Sequence, residues 1–284
     1  MLYTGVVTAW TGRISEAQTL LEHALRETRS ASGTHERAMI ASWLALCLWW
    51  GPTPADEAAG RCAALAAEAD GDREATGVTA CAIGVLVFMQ GDVESGRALI
   101  ARARADLLEI GSTLAWAGTS FAALTVELWI GAPDRALELG KPVVAELQAA
   151  GEFGYLSTIA AQMADAAFEL GMLDDAAAYV TMSAGVTVAG DWVSIADCNR
   201  VRAKLLARQG SADDAARLVD ETLADVRARD DPNVLGQSLV AAADVMGLIG
   251  RNRDEEAYLR EALEVFERKG NLPAARLARE RVGP

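Results

Sequence analysis

Arg200, Lys204 and Arg208 stand four residues apart, so on a helix they form one basic row in a chain of net charge −14. Such a row could fix the acidic end of a ligand. Asp165, Glu169 and Asp244 occupy matching positions in neighbouring segments, where they could neutralise it. Catalysis in a shaped cavity would draw on Asp165, Glu169, Arg200, Lys204 and Arg208, and their pKa values would then be shifted. The other candidates read as structure. Asp56–Glu57, Asp174–Asp175, Asp213–Asp214 and Asp254–Glu255–Glu256 are adjacent acids, and neighbouring helical side chains point about 100° apart, so they do not converge on one ion. They suit the first turn of a helix, where negative charge complements the dipole. His23 and His35 have no acid or cysteine at ligand spacing, and His35–Glu36 lacks the second histidine of a zinc helix. Cys47, Cys62, Cys81 and Cys198 show no C-x-x-C spacing and read as reduced packing residues. No catalytic residue, metal ligand or cofactor is expected.

A second set of candidates is apolar. Trp10, Trp49, Met89 and Trp129 each precede a glycine by two positions. Those glycines belong to a series, Gly12, Gly51, Gly91, Gly131, Gly171, Gly210 and Gly250, that returns about every forty residues, the mark of a repeat array. A small residue follows five positions later, as Ala17, Gly96, Ala136, Ala176 and Ala215. Another stands seven positions earlier in most units, as Gly5, Gly84, Ala164, Ala203 and Ala243. Apolar residues around them keep i, i+3, i+4 and i+7 spacing, which predicts helix, glycine turn, helix. Glycine ends a helix at positive φ without steric cost, and small residues let the paired backbones approach closely.

The spacing predicts one domain over 1–284, with units at approximately 1–31, 32–71, 72–111, 112–151, 152–190, 191–230 and 231–270 and a cap at 271–284. Ser30–Gly33, Gly111–Ser112, Gly151–Gly154, Ala189–Asp191 and Arg229–Pro232 fall between units, with Asp231 placed to cap a helix that opens on Pro232. Pro142, beside Gly140, predicts a kink or break. A last helix from Pro273 carries Arg276, Arg279, Glu280 and Arg281, the polar face that a terminal repeat needs. Met1 falls about four residues into where the first helix of its unit would begin. The fold class is therefore all-α, a right-handed α-solenoid of about seven helical hairpins with a C-terminal capping helix.

The layout resembles the tetratricopeptide repeat, with Trp43–Leu44 a partial match to its Trp-x-x-Leu-Gly stretch and a longer period than its 34 residues. Gly51–Pro52–Thr53–Pro54–Ala55–Asp56–Glu57–Ala58 with Arg61–Cys62, Gly154–Tyr155–Leu156–Ser157–Thr158, Val201–Arg202–Ala203–Lys204–Leu205–Leu206–Ala207–Arg208 and Phe266–Glu267–Arg268–Lys269–Gly270–Asn271 resemble more. They are similar to the C-terminal helical-repeat regions of large actinobacterial signalling proteins. There, a cyclase or DNA-binding domain is joined to an ATPase module, and the array follows. The resemblance implies a sensor or scaffold role and carries no catalytic residue. The phosphate-binding pattern G-x-x-x-x-G-K-[ST] does not occur in this chain.

The tetratricopeptide resemblance also implies that the first helix of each unit lines the concave surface. Positions two and ten before the glycine then face a groove. They hold Trp10, Trp49, Met89, Phe121 and Trp129 in the first four units, and Glu169, Arg200 and Arg208 further on. One expectation is a groove apolar in its N-terminal half and charged in its C-terminal half. The competing one is tryptophans packed between units and ion pairs between helices. The groove suits a protein or peptide partner, or a small molecule with an apolar body and an acidic group. Three functions follow: an interaction module first, a small-molecule sensor second, and an enzyme using the cavity residues third. The acidic charge argues against nucleic acid, which needs a basic stripe. Met39–Trp50 and Val78–Met89 are apolar but too short to span a bilayer. With no basic, cleavable leader the chain reads as cytoplasmic.

Overall fold

The computed structural model describes residues 1–28 and 34–283, so Ser30–Gly33 lies outside the described residues. Fifteen helices occur among them: α1 (Leu2–Trp10), α2 (Ile14–Glu27), α3 (Thr34–Trp50), α4 (Ala55–Ala69), α5 (Arg73–Met89), α6 (Val93–Glu109), α7 (Thr113–Trp129), α8 (Pro133–Ala150), α9 (Gly154–Glu169), α10 (Leu173–Val186), α11 (Trp192–Arg208), α12 (Ala212–Arg227), α13 (Pro232–Leu248), α14 (Asn252–Lys269) and α15 (Leu272–Val282). No strand is present among the described residues. The fold class is all-α, built from helical hairpins of the α-solenoid type, and the repeat glycines mark the turns.

Gly12, Gly91, Gly131, Gly171, Gly210 and Gly250 all have positive φ, as a glycine-terminated first helix requires. Gly51 is the exception. Its φ is not positive, and what it needs is space: a Cβ there would sit 2.9 Å from the carbonyl oxygen of Cys47 and 3.0 Å from Ile14. The predicted small-on-small approach is clearest between α5 and α6. A Cβ on Gly96 would come within 2.8 Å of both the Gly84 carbonyl oxygen and the Phe88 Cα. Aspartates cap several helices: Asp72 accepts from the Ala75 N–H on α5, Asp92 from Ser95 on α6, and Asp191 from Ser194 on α11. The adjacent acid pairs stand in the first turns of α4, α10, α12 and α14. Pro142 does not break α8, which runs through it. The ring is on the exposed side, where the carbonyl that loses its donor can turn to water.

By contacts the chain forms two compact units. The first holds Met1–Ala123 with the turns Arg229–Pro232 and Lys269–Asn271, and the second holds Leu124–Ala228, Asn233–Arg268 and Leu272–Pro284. In the first unit the two returning turns dock on the repeat turns at Gly12 and Gly51. Arg229 packs on Gly12, where its Nη1 donates to the Thr11 carbonyl at 2.5 Å. Lys269 buries its Nζ against the carbonyls of Leu48, Gly51 and Thr53 at 3.0, 2.7 and 2.7 Å. In the second unit α9 packs on α8, α10 and α11, and α11 packs on α12. Gly236 of α13 lets the Phe266 ring of α14 lie directly on its backbone. No helix among the described residues is long and apolar enough to cross a membrane.

Candidate functional site

The aromatic candidates divide between the units. In the first unit Trp10, Trp43, Trp50, Trp49 and Phe121 form one continuous run. Successive ring centroids are 6.4, 6.4, 5.8 and 5.8 Å apart, each pair tilted or edge-on as ring quadrupoles favour. The members differ in what they face. Trp10 is 59% exposed, whereas Trp49 is 2% exposed and Met89 is fully buried. Trp49 and Met89 are therefore core, Phe121 is half-buried, and Trp10 presents its indole to solvent together with Tyr3 and Val7 of α1. Trp43 and Trp50 were not among the sequence candidates, because they fall off the two columns counted from the glycine.

Trp129 lies in the second unit, beside an open cavity of about 140 Å³. Its apolar wall comes from Leu128 and Trp129 of α7, Val240 of α13, Phe266 of α14 and Leu277 of α15. Its polar wall comes from Asp165 and Glu169 of α9, Lys204 of α11, Gln237 and Asp244 of α13, and Arg281 of α15. Helical spacing explains the grouping. Asp165 and Glu169 are four apart, and so are Val240 and Asp244, so each helix presents two positions on the same face. Of the sequence candidates, Trp129, Asp165, Glu169 and Lys204 meet here.

Lys204 is the centre of the polar wall. It is 2% exposed, its Nζ lies 2.5 Å from Asp165 Oδ1 and 2.7 Å from Glu169 Oε1, and it sits 4.7 Å from the Phe168 ring centroid. Burial works against its charge, yet Asp165, Glu169 and Asp244 hold the ammonium above the ordinary lysine value. Burial likewise opposes ionisation of Asp165, but Lys204 and Arg200 overcome it and keep that carboxyl below the usual range. For Asp244 the balance reverses: burial raises it, and Lys204 and Arg281 offset only part of the rise. Arg281 reaches Asp244 Oδ1 at 2.6 Å and stands 3.9 Å from Glu255. A buried cation held by two carboxylates is the compensated arrangement that low dielectric demands.

The rest of the expected basic row does not join this cluster. Arg200 is buried and pairs at 2.7 Å with Asp197 one turn earlier on its own helix, with Gln237 Oε1 accepting from it at 3.3 Å. Burial pushes Asp197 up to about 6, with Arg200 lowering it and Asp165 and Asp191 adding to the rise. Arg208 ends α11 and is exposed. Arg281 stays exposed, as the sequence assigns it, and also pairs with Asp244, because α15 packs Ala274 and Ala278 inward and brings Arg281 to the cavity rim. Leu277, Phe266 and Gln237 were missed as well. Helical spacing was the available signal for Leu277, which stands three residues after Ala274 and four before Arg281.

His35 Nδ1 lies 2.5 Å from Asp72, and His23 is exposed. All four cysteines are free and buried, and burial pushes Cys47, Cys62 and Cys81 up to about 12, so none is a ready thiolate. Among the described residues no group of three or more His, Cys, Asp or Glu side chains is placed to hold a metal ion.

No protein-family model and no curated protein matches the chain. Solved structures do. A Rap protein complexed with competence and sporulation factor aligns with a TM-score of 0.61 at 10% identity, over 94% of this chain and 78% of that one. BtubC (BKLC) from P. vanneervenii aligns with a TM-score of 0.51 at 17% identity, over 74% of this chain and 87% of that one. At such identities the likeness shows the fold and nothing more. This is a helical-repeat protein.

Proposed function

We propose that the chain is a recognition module that binds a peptide segment of a partner, with the cavity of the second unit as its anchoring pocket. The observation that carries the reading is the cavity itself, an apolar wall of Leu128, Trp129, Phe266 and Leu277 facing a fixed charged wall centred on Lys204. That combination, mostly apolar with a few oriented polar groups, is what ligand sites present. Two likenesses fit it. A protein of the same fold was solved with competence and sporulation factor bound, and the sequence resembles regulatory arrays that follow ATPase modules. In such a setting the bound segment would bias the array toward one conformation and so inform an attached or separate effector.

Panning a displayed peptide library on the intact protein tests the reading. Leu277→Trp fills the cavity from a side chain that is already part-exposed on α15. Enriched peptides should lose at least about tenfold in affinity, about 1.4 kcal/mol, against that variant. Equal binding to both proteins, or no enrichment at all, would reject the cavity as the anchor.

A small-molecule sensor is the second reading, favoured by the cavity's size, about 140 Å³, close to the ~150 Å³ that accepts a benzene ring. Native mass spectrometry of the protein taken from its own host separates the two readings. A bound mass of a few hundred daltons supports the sensor, and a bound polypeptide supports the recognition module.

A further inference from the structure

We infer that the group held in this cavity is a cation on an apolar stem, presented by a peptide as a lysine or arginine side chain. The inference rests on the recognition reading above and adds the chemistry of the ligand. The sequence row of Arg200, Lys204 and Arg208 points toward an acidic ligand, but the geometry removes each of those cations from the task. Lys204 is engaged by Asp165 and Glu169, Arg200 by Asp197, and Arg208 lies exposed at the end of α11. Arg281 is engaged by Asp244 and stands beside Glu255.

The polar wall therefore sets three carboxylates, Asp165, Glu169 and Asp244, around two cations, Lys204 and Arg281, and Glu255 stands beside Arg281 outside the wall. An arriving anion meets excess negative charge and donors already in use. An arriving cation meets acceptors. Asp165 and Glu169 each place one oxygen on Lys204, and Asp244 places one on Arg281. Among the described residues no hydrogen bond reaches the second oxygen of any of the three. At Asp244 burial still outweighs the cations beside it, Lys204 and Arg281. Across the cavity, Trp129, Phe266 and Leu277 offer the apolar surface that an alkyl or aryl stem covers. Charge and shape thus ask for the same ligand: a basic head at Asp244 and Glu169 and an apolar stem against the tryptophan wall.

A matched series tests this on the intact chain: 2-phenylethylamine, 2-phenylethanol and 3-phenylpropionate, followed by indole N–H resonances in NMR titrations. The amine should bind at least about tenfold more tightly than the carboxylate, the return from one charge-assisted contact. Asp244→Asn should erase that preference, and so should Glu169→Gln, whose side chain is half-exposed and keeps an amide oxygen to accept from Lys204. If the anion or the alcohol binds as well as the amine, the inference is overturned while the cavity reading stands. If none of the three perturbs Trp129, both fall. Blocked pentapeptides with a central lysine, norleucine or glutamate separate the sources. A lysine peptide tighter than free phenylethylamine supports the peptide side chain, and a free amine that binds more tightly than every peptide overturns the peptide source.

Discussion

Asp230 caps a helix that begins 216 residues before it: its Oδ1 lies 2.5 Å from the Ile14 N–H nitrogen, and its Oδ2 lies 2.7 Å from that of Ser15. The helix α2 has Arg13 at its N-cap position and no side-chain cap of its own. Its orphan N–H groups are met from the turn between α12 and α13, where the Asp230 N–H also donates to the Gly12 carbonyl at 3.1 Å. One carboxylate thus satisfies two donors and places negative charge at the positive end of the helix dipole. The contact does two jobs, ending one turn and fastening it to another that is remote in sequence.

Removing that carboxylate should cost more than the loss of an ordinary surface acid. Asp230→Ala is expected to destabilise the protein by about 1–2 kcal/mol, the upper part of the range for helix caps. Asp230→Asn, which keeps an acceptor, should cost less than Asp230→Ala. Denaturant unfolding of both variants beside Asp213→Ala, an exposed acid in the first turn of α12, gives the comparison. Equal midpoints for Asp230→Ala and Asp213→Ala would show that the remote cap contributes nothing.

Lys269 fastens the second returning turn, and its charge is held at a cost. It is 1% exposed, it donates to three carbonyls, and burial pulls it down to about 8, against the partial support of Asp231 and Cys62. Unfolding returns the amine to water, where it keeps its proton until about pH 10. Between about pH 8 and 10 the unfolded chain therefore binds the extra proton, and stability rises with pH through that window. Below the folded value both states hold the proton and the dependence ends. Relative to Lys269→Met, the wild-type protein should gain about 1.4 kcal/mol per pH unit there. The chain has only three lysines, Lys141, Lys204 and Lys269, so carbon-13 labelled lysine spectra can follow the same event. All three remaining protonated at pH 9.5 would refute the prediction.

The hairpins were legible because their determinants are local and periodic. Glycine spacing, small residues at fixed offsets, and Pro232 after Asp231 each act within one unit, and the helix limits follow them. Gly51 shows where local reading stops. It belongs to the periodic series, but Ile14, in another hairpin, shares with the Cys47 carbonyl in limiting the space there. The candidate cavity was legible in part for the same reason. Asp165 and Lys204 share the column six before the repeat glycine and Glu169 stands in the column two before it, so periodicity finds them. Arg281 and Leu277 belong to a helix outside the repeat, and no count from a glycine reaches them. Asp230 and Lys269 were invisible as contacts, since nothing near them in sequence announces Ile14 or Leu48. Within the tryptophan column, position alone could not tell an exposed ring from a buried one. Trp10 meets the Trp43 ring and keeps most of its surface exposed, whereas Trp50 and Phe121 cover Trp49.

That difference between two residues of one column is measurable. Trp49 packs between Trp50 and Phe121 at 5.8 Å from each and is almost fully buried. Its truncation opens a large void in a core that cannot collapse around it, so Trp49→Ala should cost about 3–5 kcal/mol. Trp10 touches Trp43 at 6.4 Å and leaves most of its surface in water. Trp10→Ala should therefore change stability by less than about 1 kcal/mol, losing one edge contact and little burial. Urea unfolding monitored by far-ultraviolet circular dichroism reads both without depending on tryptophan emission. Should Trp49→Ala fail to fold, Trp49→Phe keeps the ring contact at reduced volume, and it should still cost more than Trp10→Ala. A larger loss at Trp10 than at Trp49→Phe would mean that the exposed indole, and not the buried one, holds the N-terminal hairpin in place.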